Sequence, residues 1–270
     1  MAKVIAIANQ KGGSAKTTTT VNLGAALAQE GQRVLLIDFD PQGNLSTYLG
    51  VDVERLSETI YNVLLTGAPL ARVVRETPIP NLMLAPANID LCAAELQLVT
   101  EMSRERILAT KLAGVGEDFD YVLIDCPPSL GLLVVNALTA ADEVIVPVQC
   151  SFLALRGLGQ LLETVEKVRG RLNPRLQTRG ILMTMFTTQT SHAQEVVELT
   201  RSRFGKLVFN TLISRSVRFD EAPVAGQPIL VYARHSRGSD QYREFAKEVL
   251  HNGKARSNHR RSARKEASRS

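Results

Sequence analysis

The segment VIAIANQKGGSAKTTTT, from Val4 to Thr20, decides the fold of this chain of 270 residues. Its first five residues are apolar and rich in β-branched side chains, which is typical of a buried strand. A glycine pair follows, and the chain then takes a helical apolar spacing that ends at Gly31. In this order of strand, glycine turn and helix, backbone N–H groups and a helix N-terminus can hold an anion. The segment therefore predicts a phosphate-binding loop.

Two side chains at the start of the predicted helix suit a bound nucleoside triphosphate. Lys16 can reach the β- and γ-phosphates, and Thr17 can offer its hydroxyl to Mg²⁺. The strict pattern G-x-x-x-x-G-K-[ST] is not met, because Gln10 and Ala15 occupy its two glycine positions. A glycine turn with an incidental lysine therefore stays open as the alternative interpretation.

Acidic residues follow two further apolar runs. Residues 32–40 read as a strand that ends in Asp38 and Asp40, and residues 121–124 read as a strand that Asp125 ends. An open parallel sheet carries its working residues at the carboxyl ends of its strands. We therefore interpret Asp38 and Asp40 as metal- or water-directed groups and Asp125 as a Walker B acid that serves Mg²⁺. Acids also end strands and cap helices in many proteins, so a structural role is the alternative.

Strands and helices alternate along most of the chain. Further strands are predicted at residues 81–87, 143–148, 179–186 and 207–213, and helices at 58–65, 91–98, 104–112, 155–169, 192–204 and 238–250. Such alternation favours a parallel sheet that helices cover on both faces. We expect a single-domain α/β P-loop NTPase fold over residues 1–253, with a mostly parallel twisted sheet.

Composition narrows the class of protein. No apolar run approaches the roughly 20 residues that cross a bilayer, and the N-terminus reads as a strand rather than a signal peptide. Cys92, Cys126 and Cys150 lie far apart without metal-binding spacing, so we expect small buried residues in a reducing cytoplasm.

Residues 254–270 form a basic tail. They hold seven Lys or Arg and one Glu, a net charge of +6, whereas the whole chain carries +5, so the preceding residues are near neutral. The tail has no apolar residue larger than alanine and is predicted to be disordered. It is either a solubilising end or a phosphate contact that ignores DNA sequence.

Three motifs together resemble the ParA/Soj branch of the deviant Walker-A ATPases, which also contains MinD. They are KGG-x-x-KTTT in the phosphate loop, IDFDPQGN after the second strand and IDCPPS at the Asp125 strand end. Further agreement comes from VPVQ at 146–149, LNPR at 172–175, MTMF at 183–186 and SVRFDEAPVAGQPI from Ser216 to Ile229. The likeness covers about residues 2–250 in a consistent order.

The resemblance implies an ATP-dependent switch for chromosome or plasmid partitioning. In this family, ATP and Mg²⁺ are the cofactors, and two copies enclose ATP between them. The ATP-dependent homodimer binds DNA without sequence preference, and a ParB-like partner stimulates hydrolysis and releases it. We therefore expect a cytoplasmic, nucleoid-associated protein with no membrane contact.

The resemblance also assigns roles to residues. Lys11 would cross the dimer interface to the partner's phosphates, Lys16 would bind them in cis, and Asp40 would position the attacking water. These three are the predicted catalytic residues. The predicted Mg²⁺ residues are Thr17, Asp38 and Asp125. The predicted nucleotide-binding residues are Lys11, Gly12, Gly13, Ser14, Ala15, Lys16, Thr17, Thr18, Met185, Ser214 and Ser216.

Two departures from the family pattern bear on the nucleotide. Ala15 replaces the glycine before the catalytic lysine, and a positive φ there would cost alanine roughly 1 kcal/mol or more. Ser214 and Ser216 stand where the family usually has Pro and Asn beside the adenine, which predicts altered contacts with the base.

The family places its DNA-binding arginines in the C-terminal part. The predicted DNA-binding residues are Arg203, Lys206, Arg215, Arg218, Arg237 and Lys247. Acids such as Asp220, Glu221 and Glu244 lie among them, so a solvated charged surface is the alternative.

Three other functions stay open. Some relatives position a protein cargo, such as a carboxysome or a chemotaxis cluster, on the nucleoid. A MinD-like membrane switch would need large apolar residues in a C-terminal amphipathic helix, and the tail has none. A non-hydrolysing DNA-binding scaffold is the third, because Ala15 departs from the loop pattern.

Overall fold

Eight strands form one sheet in the computed structural model, which describes residues 2–114, 117–188 and 191–251. In chain order they are β1 (Lys3–Ile7), β2 (Val34–Asp38), β3 (Arg75–Glu76), β4 (Leu82–Ala85), β5 (Tyr121–Asp125), β6 (Glu143–Gln149), β7 (Gln177–Phe186) and β8 (Val208–Ser214). Their order across the sheet is β3-β4-β2-β5-β1-β6-β7-β8. Every neighbouring pair is parallel except β3 and β4, which confirms the predicted mostly parallel sheet.

Helices cover both faces of this sheet, as predicted. They are α1 (Lys16–Gln29), α2 (Asn44–Tyr48), α3 (Ile60–Leu65), α4 (Leu70–Val73), α5 (Leu91–Gln97), α6 (Ile107–Leu112), α7 (Leu132–Ala140), α8 (Phe152–Arg171), α9 (Ser191–Phe204), α10 (Arg218–Val224), α11 (Ile229–Tyr232) and α12 (residues 237–251). Short 3-10 turns lie at Val53–Arg55, Leu98–Thr100, Arg104–Arg106 and Gly205–Leu207.

The core lies in two layers because successive strand side chains point to opposite faces. Ile5 and Ile7 pack with α1 and α12 on one face, whereas Ala6 and Ala8 belong to the layer under α7 and α8 on the other. Both layers are buried, which explains why the central strands read as continuous apolar runs. No helix in the described ranges is both long and apolar enough to span a bilayer.

One helix and the burial of one cysteine differ from the sequence prediction, and the short elements β3, α4, α10 and α11 were not predicted. Helix α7 was not predicted, because LLVVNALTA is apolar on nearly every side and its periodicity gives no direction. The expectation that all three cysteines are buried is wrong for Cys92, which is exposed on α5, whereas Cys126 and Cys150 are buried. All three are free thiols. The predicted disordered tail, residues 254–270, lies outside the described residues.

An ion cluster centred on the buried pair of Arg179 and Glu143 contacts α12 at the amino ends of the strands. Arg179 of β7 contacts Glu143 of β6 at 3.5 Å and donates a hydrogen bond to the carbonyl of Val249 in α12. Lys3 of β1 forms a second ion pair with Glu143 at 2.9 Å. Since breaking a buried ion pair leaves an uncompensated charge, this cluster fixes where α12 lies.

Candidate nucleotide and metal site

The side chain of Asn9 anchors the loop between β1 and α1 through two hydrogen bonds. This buried side chain donates to the carbonyl of Pro147 at 2.6 Å, and its Oδ1 accepts from the backbone N–H of Lys11 at 3.0 Å. Gly12 and Gly13 are exposed, and a Cβ added to either would meet no atom within 4 Å. The φ of Gly13 is +67°. The backbone at these glycines therefore faces open space that an anion can approach.

Lys16 opens α1 and is only 7% exposed. Its Nζ lies 3.4 Å from the carbonyl oxygen of Lys11, so the side chain folds back over the loop. Burial lowers the pKa of Lys16, and the nearby charges of Asp125 and Asp40 oppose that lowering. A phosphate in the loop would give this buried ammonium a further counter-charge.

Two buried carboxylates lie side by side at the carboxyl ends of β2 and β5. Asp38 and Asp125 are register partners, and neither is exposed to solvent. Asp125 accepts hydrogen bonds from Thr17 Oγ1 at 2.7 Å and Thr20 Oγ1 at 3.1 Å. Asp38 Oδ2 accepts from the Ser46 backbone N–H at 2.8 Å and its hydroxyl at 2.6 Å. Each acid is thereby fixed in orientation.

The electrostatics of this pair fit a cation. Burial, with a smaller contribution from the charge of Asp38, raises the pKa of Asp125 to about 8. Burial also raises the pKa of Asp38 to about 6. A divalent cation between them would favour both ionised forms and reverse these shifts.

The donor set fits Mg²⁺ with a nucleotide. No three His, Cys, Asp or Glu side chains in the described residues converge to hold a metal. Mg²⁺ commonly takes one or two carboxylates and completes its shell with waters and substrate phosphates. Thr17, Asp38 and Asp125 are hard oxygen donors beside the open loop, so they could hold such an ion.

Asp40 lies two residues beyond β2 and is 7% exposed. Its Oδ1 accepts from the backbone N–H of Gln42 at 3.0 Å, and its own N–H donates to Asp38 Oδ1 at 3.3 Å. Within the described part of the chain, Oδ2 has no hydrogen-bond partner. The structure therefore orients this carboxylate and leaves one oxygen available for water.

Ala15 adopts the left-handed conformation that the sequence raised as a concern. Its φ is 67° and its ψ is 34°, and its carbonyl accepts the N–H of Thr19 at 2.9 Å as α1 begins. An L-residue with a Cβ pays roughly 1–2 kcal/mol in this region. The loop thus holds local strain directly before Lys16.

Ala15→Gly is expected to keep or increase turnover and to raise the thermal midpoint slightly. Glycine removes the strain of about 1–2 kcal/mol but loses about 0.5–1 kcal/mol of backbone entropy on folding, so the net gain is small. Ala71→Gly, at an exposed position of helix α4, is the control and should only destabilise. Calorimetry and phosphate release measure both variants. A clear loss of activity in Ala15→Gly would show that the alanine is an adapted part of the loop.

A cavity of about 340 Å³ opens where β7 and β8 end. Ser214 and Ser216 line it, and Met185, with a φ of 53°, directly precedes the lining residue Phe186. Gln241 of α12 donates to Ser214 Oγ at 2.8 Å and accepts its N–H at 3.0 Å. The residues predicted beside the base therefore lie at one cavity near the sheet's carboxyl edge.

The six predicted DNA-binding residues are all exposed, but they do not form one patch. Arg215 and Arg237 line the cavity just described, and Arg218 follows at the start of α10, paired with Glu221 at 2.8 Å. Arg203 and Lys206 precede β8. The seven residues of β8 separate the two groups by roughly 20 Å.

Lys247 belongs to the second group. The adjacent Glu248 accepts the backbone N–H of Asn210, near the amino end of β8, at 2.8 Å. Lys247 itself pairs with Glu244 at 3.0 Å. The amino-edge group is therefore Arg203, Lys206 and Lys247, and the carboxyl-edge group is Arg215, Arg218 and Arg237.

Several residues of the site were missed from the sequence. Thr20 could have been found, because it stands three residues after Thr17 on the same helix face. Asn9 precedes the loop without any motif of its own. Ser46 and Gln241 act through contacts that no local pattern marks.

Comparisons with known proteins identify relatives of this chain. A family model described as an AAA domain matches residues 2–178. The sporulation initiation inhibitor protein Soj of Bacillus subtilis is 48% identical over 94% of this chain and 100% of its own length. The chromosome partitioning protein ParA of Caulobacter vibrioides is 48% identical over 92% of this chain and 94% of its own.

One similar solved structure contains a bound nucleotide and magnesium. Cobyrinic acid a,c-diamide synthase from Mycobacterium smegmatis, crystallised with bound ADP and magnesium, is 42% identical with a TM-score of 0.84. The match covers 94% of this chain and 96% of that one. Nucleotide and Mg²⁺ thus bind to a protein of this same fold.

Proposed function

This chain belongs to the ParA/Soj family of P-loop ATPases, and on that basis we propose that it is an ATP-dependent partitioning ATPase of a chromosome or plasmid. One observation carries the proposal. The open phosphate loop, a buried lysine, an oriented acid with a free oxygen and a pair of buried carboxylates all meet at the carboxyl ends of β1, β2 and β5.

The chemistry follows from these positions. Backbone N–H groups of the loop and Lys16 would bind the phosphates, and Thr17, Asp38 and Asp125 would hold Mg²⁺. When bound, the ion neutralises charge on the phosphate oxygens. Asp40 accepts a hydrogen bond from the attacking water and aligns it with the γ-phosphate. Phosphoryl transfer depends mostly on such positioning and charge stabilisation, so no covalent intermediate is needed.

A second copy completes the site through Lys11. The backbone of Lys11 is anchored by Asn9, yet its ammonium has no hydrogen bond or ion pair among the described residues. A fixed backbone with an unpaired charged side chain supports a contact with the nucleotide of another copy. Hydrolysis would then require an ATP-dependent homodimer.

DNA is the proposed partner of this dimer, with a ParB-like protein as the stimulating partner. The chain without its tail is near neutral, so affinity must come from local clusters of charge. We place DNA on the carboxyl-edge group, because Arg215 and Arg237 lie at the cavity beside the predicted nucleotide residues. Nucleotide binding and dimerisation can therefore act on these side chains directly.

The function is tested by titrating random-sequence duplex with the protein and ATP, ADP or no nucleotide. We expect binding with ATP only and a steep fall in affinity with salt. ATP hydrolysis is measured in parallel with and without DNA and a ParB-like protein. DNA-independent hydrolysis that cobyrinic acid stimulates would instead favour the activity named for the mycobacterial structure.

Arg215→Ala with Arg218→Ala is expected to weaken DNA binding at least tenfold while sparing ATP-driven dimerisation. Each lost phosphate contact should reduce the salt slope by about 0.9. The matched control is Arg203→Ala with Lys206→Ala, which removes the same charge from the opposite edge of the sheet. If the control loses binding and the test variant does not, the DNA surface is the amino edge.

Deleting residues 254–270 should weaken DNA binding without removing the ATP requirement.

A further inference from the structure

A cavity of about 410 Å³ opens at the amino edge of the sheet, at the opposite ends of the strands from the nucleotide loop. Val4 and Val122, register partners on β1 and β5, line it from the sheet. Ala109 and Leu112 line it from α6, and Ala140 lines it from the end of α7. Its volume falls within the roughly 300–1,000 Å³ of small-molecule sites, so it can hold a small ligand.

This amino-edge cavity reaches a central strand. β1 lies between β5 and β6, and a strand in that position of a parallel sheet is normally buried on both faces. Val4 is nevertheless only half-buried. Ala109 and Ala140, which line the cavity from the helices, have only methyl side chains and leave this apolar surface open. A ligand with an apolar group would remove it from water.

Two charged side chains at the cavity have unused hydrogen-bonding capacity. Asp142 Oδ2 accepts the backbone N–H of Val4 at 3.0 Å, whereas its Oδ1 has no partner within the described ranges. The guanidinium of Arg175 makes neither a hydrogen bond nor an ion pair with any residue that the structure describes. Lys3 also lines the cavity, but its ammonium is paired with Glu143 at 2.9 Å. The cavity therefore offers a ligand one carboxylate oxygen and one guanidinium.

The backbone that carries these two groups is fixed by Asn173. This buried side chain donates to the carbonyls of Leu138 at 3.1 Å and Ala141 at 2.6 Å. Its Oδ1 accepts the backbone N–H of Arg175 at 3.2 Å, and Asp142 directly follows Ala141. The fold thus sets the backbone separation of Asp142 and Arg175 before any ligand binds, which lowers the entropic cost of binding.

We propose that the amino-edge cavity binds a free α-amino acid with an apolar side chain. The ammonium of the ligand pairs with Asp142, its carboxylate pairs with Arg175, and its side chain covers Val4. Arginine suits this role because its guanidinium holds a carboxylate through two parallel hydrogen bonds. Two other ligand classes fit worse. A fatty acid would leave the charge of Asp142 unpaired, and a phosphate compound would bring further negative charge against it.

Calorimetric titration of the full chain with L-leucine or L-phenylalanine tests the site. Two compounds keep the carbon skeleton of leucine and lack one of its charges: isocaproate has no ammonium, and isoamylamine has no carboxylate. We expect saturable binding of the amino acids and at least tenfold weaker binding of both comparison compounds. An absence of saturable binding for both amino acids would refute the proposal. Isocaproate that binds as tightly as L-leucine would overturn it in favour of a simple carboxylic acid.

Arg175→Gln and Asp142→Asn should each weaken the binding of L-leucine at least tenfold. Asp142→Asn keeps a side-chain oxygen for the N–H of Val4, so the fold should be retained, and thermal unfolding checks this. The matched controls are Arg171→Gln and Asp118→Asn, two exposed residues that do not line the cavity, and both should bind L-leucine like the wild type. Wild-type affinity in both site variants would show that the ligand lies elsewhere.

Ala109→Leu fills the cavity from α6 and keeps both charged groups. The added side chain should occupy the place of the ligand's apolar group, so affinity for L-leucine should fall at least tenfold while the thermal midpoint stays near that of the wild type. Unchanged affinity would place the ligand outside the cavity. Because the titration uses no nucleotide and measures no hydrolysis, its outcome does not depend on the proposed ATPase function.

Discussion

Asp40→Ala is expected to slow ATP hydrolysis by about 100-fold or more and to leave nucleotide binding nearly unchanged. The carboxylate is held by the Gln42 N–H through one oxygen and has the other free, which is what orienting a water requires. It makes no hydrogen bond with Lys16, so its removal should not disturb the phosphate cradle. Single-turnover phosphate release and the titration of a fluorescent ATP analogue measure the two properties separately.

Two further variants make the Asp40 result specific. Asp40→Asn keeps a side-chain oxygen for the Gln42 N–H but loses the charge, so it should be nearly as slow as the alanine variant. Asp52→Ala removes an exposed acid that pairs with Arg55 and lies outside the predicted site. The turnover of this variant should match that of the wild type. Normal hydrolysis in Asp40→Ala would mean that another group orients the water.

Lys11→Ala is expected to abolish ATP-driven dimerisation while the monomer still binds nucleotide. Removing one partner of a desolvated charge pair costs about 2–5 kcal/mol, and a two-fold dimer would contain the contact twice. Light scattering after size exclusion, with and without ATP and Mg²⁺, gives the mass directly. Lys167→Ala is the matched control, since Lys167 is an exposed lysine of α8 away from the loop. If the Lys11→Ala protein dimerises like the wild type, Lys11 does not act across the dimer interface.

The sequence predicted the nucleotide site better than the contacts between distant elements. The phosphate loop and the acids after β2 and β5 could be found because a parallel sheet brings strand ends together. The sequence raised the possibility of a left-handed backbone at Ala15, since glycine is the usual residue there, and the folded loop has a φ of 67° at this position. Local chain geometry therefore carries most of the nucleotide site.

Contacts between distant residues escaped prediction for a physical reason. Glu95 meets Leu133 and Arg179 meets Glu143 only because the sheet order brings their elements together. For the basic residues, the sequence instead suggested a single group that the fold divides. Lys206 and Arg215 belong to one basic stretch of the sequence, yet the whole of β8 lies between them. Sequence distance gives no direction across a strand, so one basic stretch became two separate groups.

The cluster of Lys3, Glu143 and Arg179 has a practical consequence for imaging. These residues stand at or near the starts of β1, β6 and β7, and through Val249 they also fix the end of α12. Residues 2 and 251 therefore both lie near the amino edge of the sheet, opposite the nucleotide site. A fluorescent protein joined through either residue would therefore be attached at the edge of the sheet opposite the ATP-binding loop. Live-cell tracking of a fusion joined at residue 2, which leaves the basic tail unchanged, should report the movement of the native molecule.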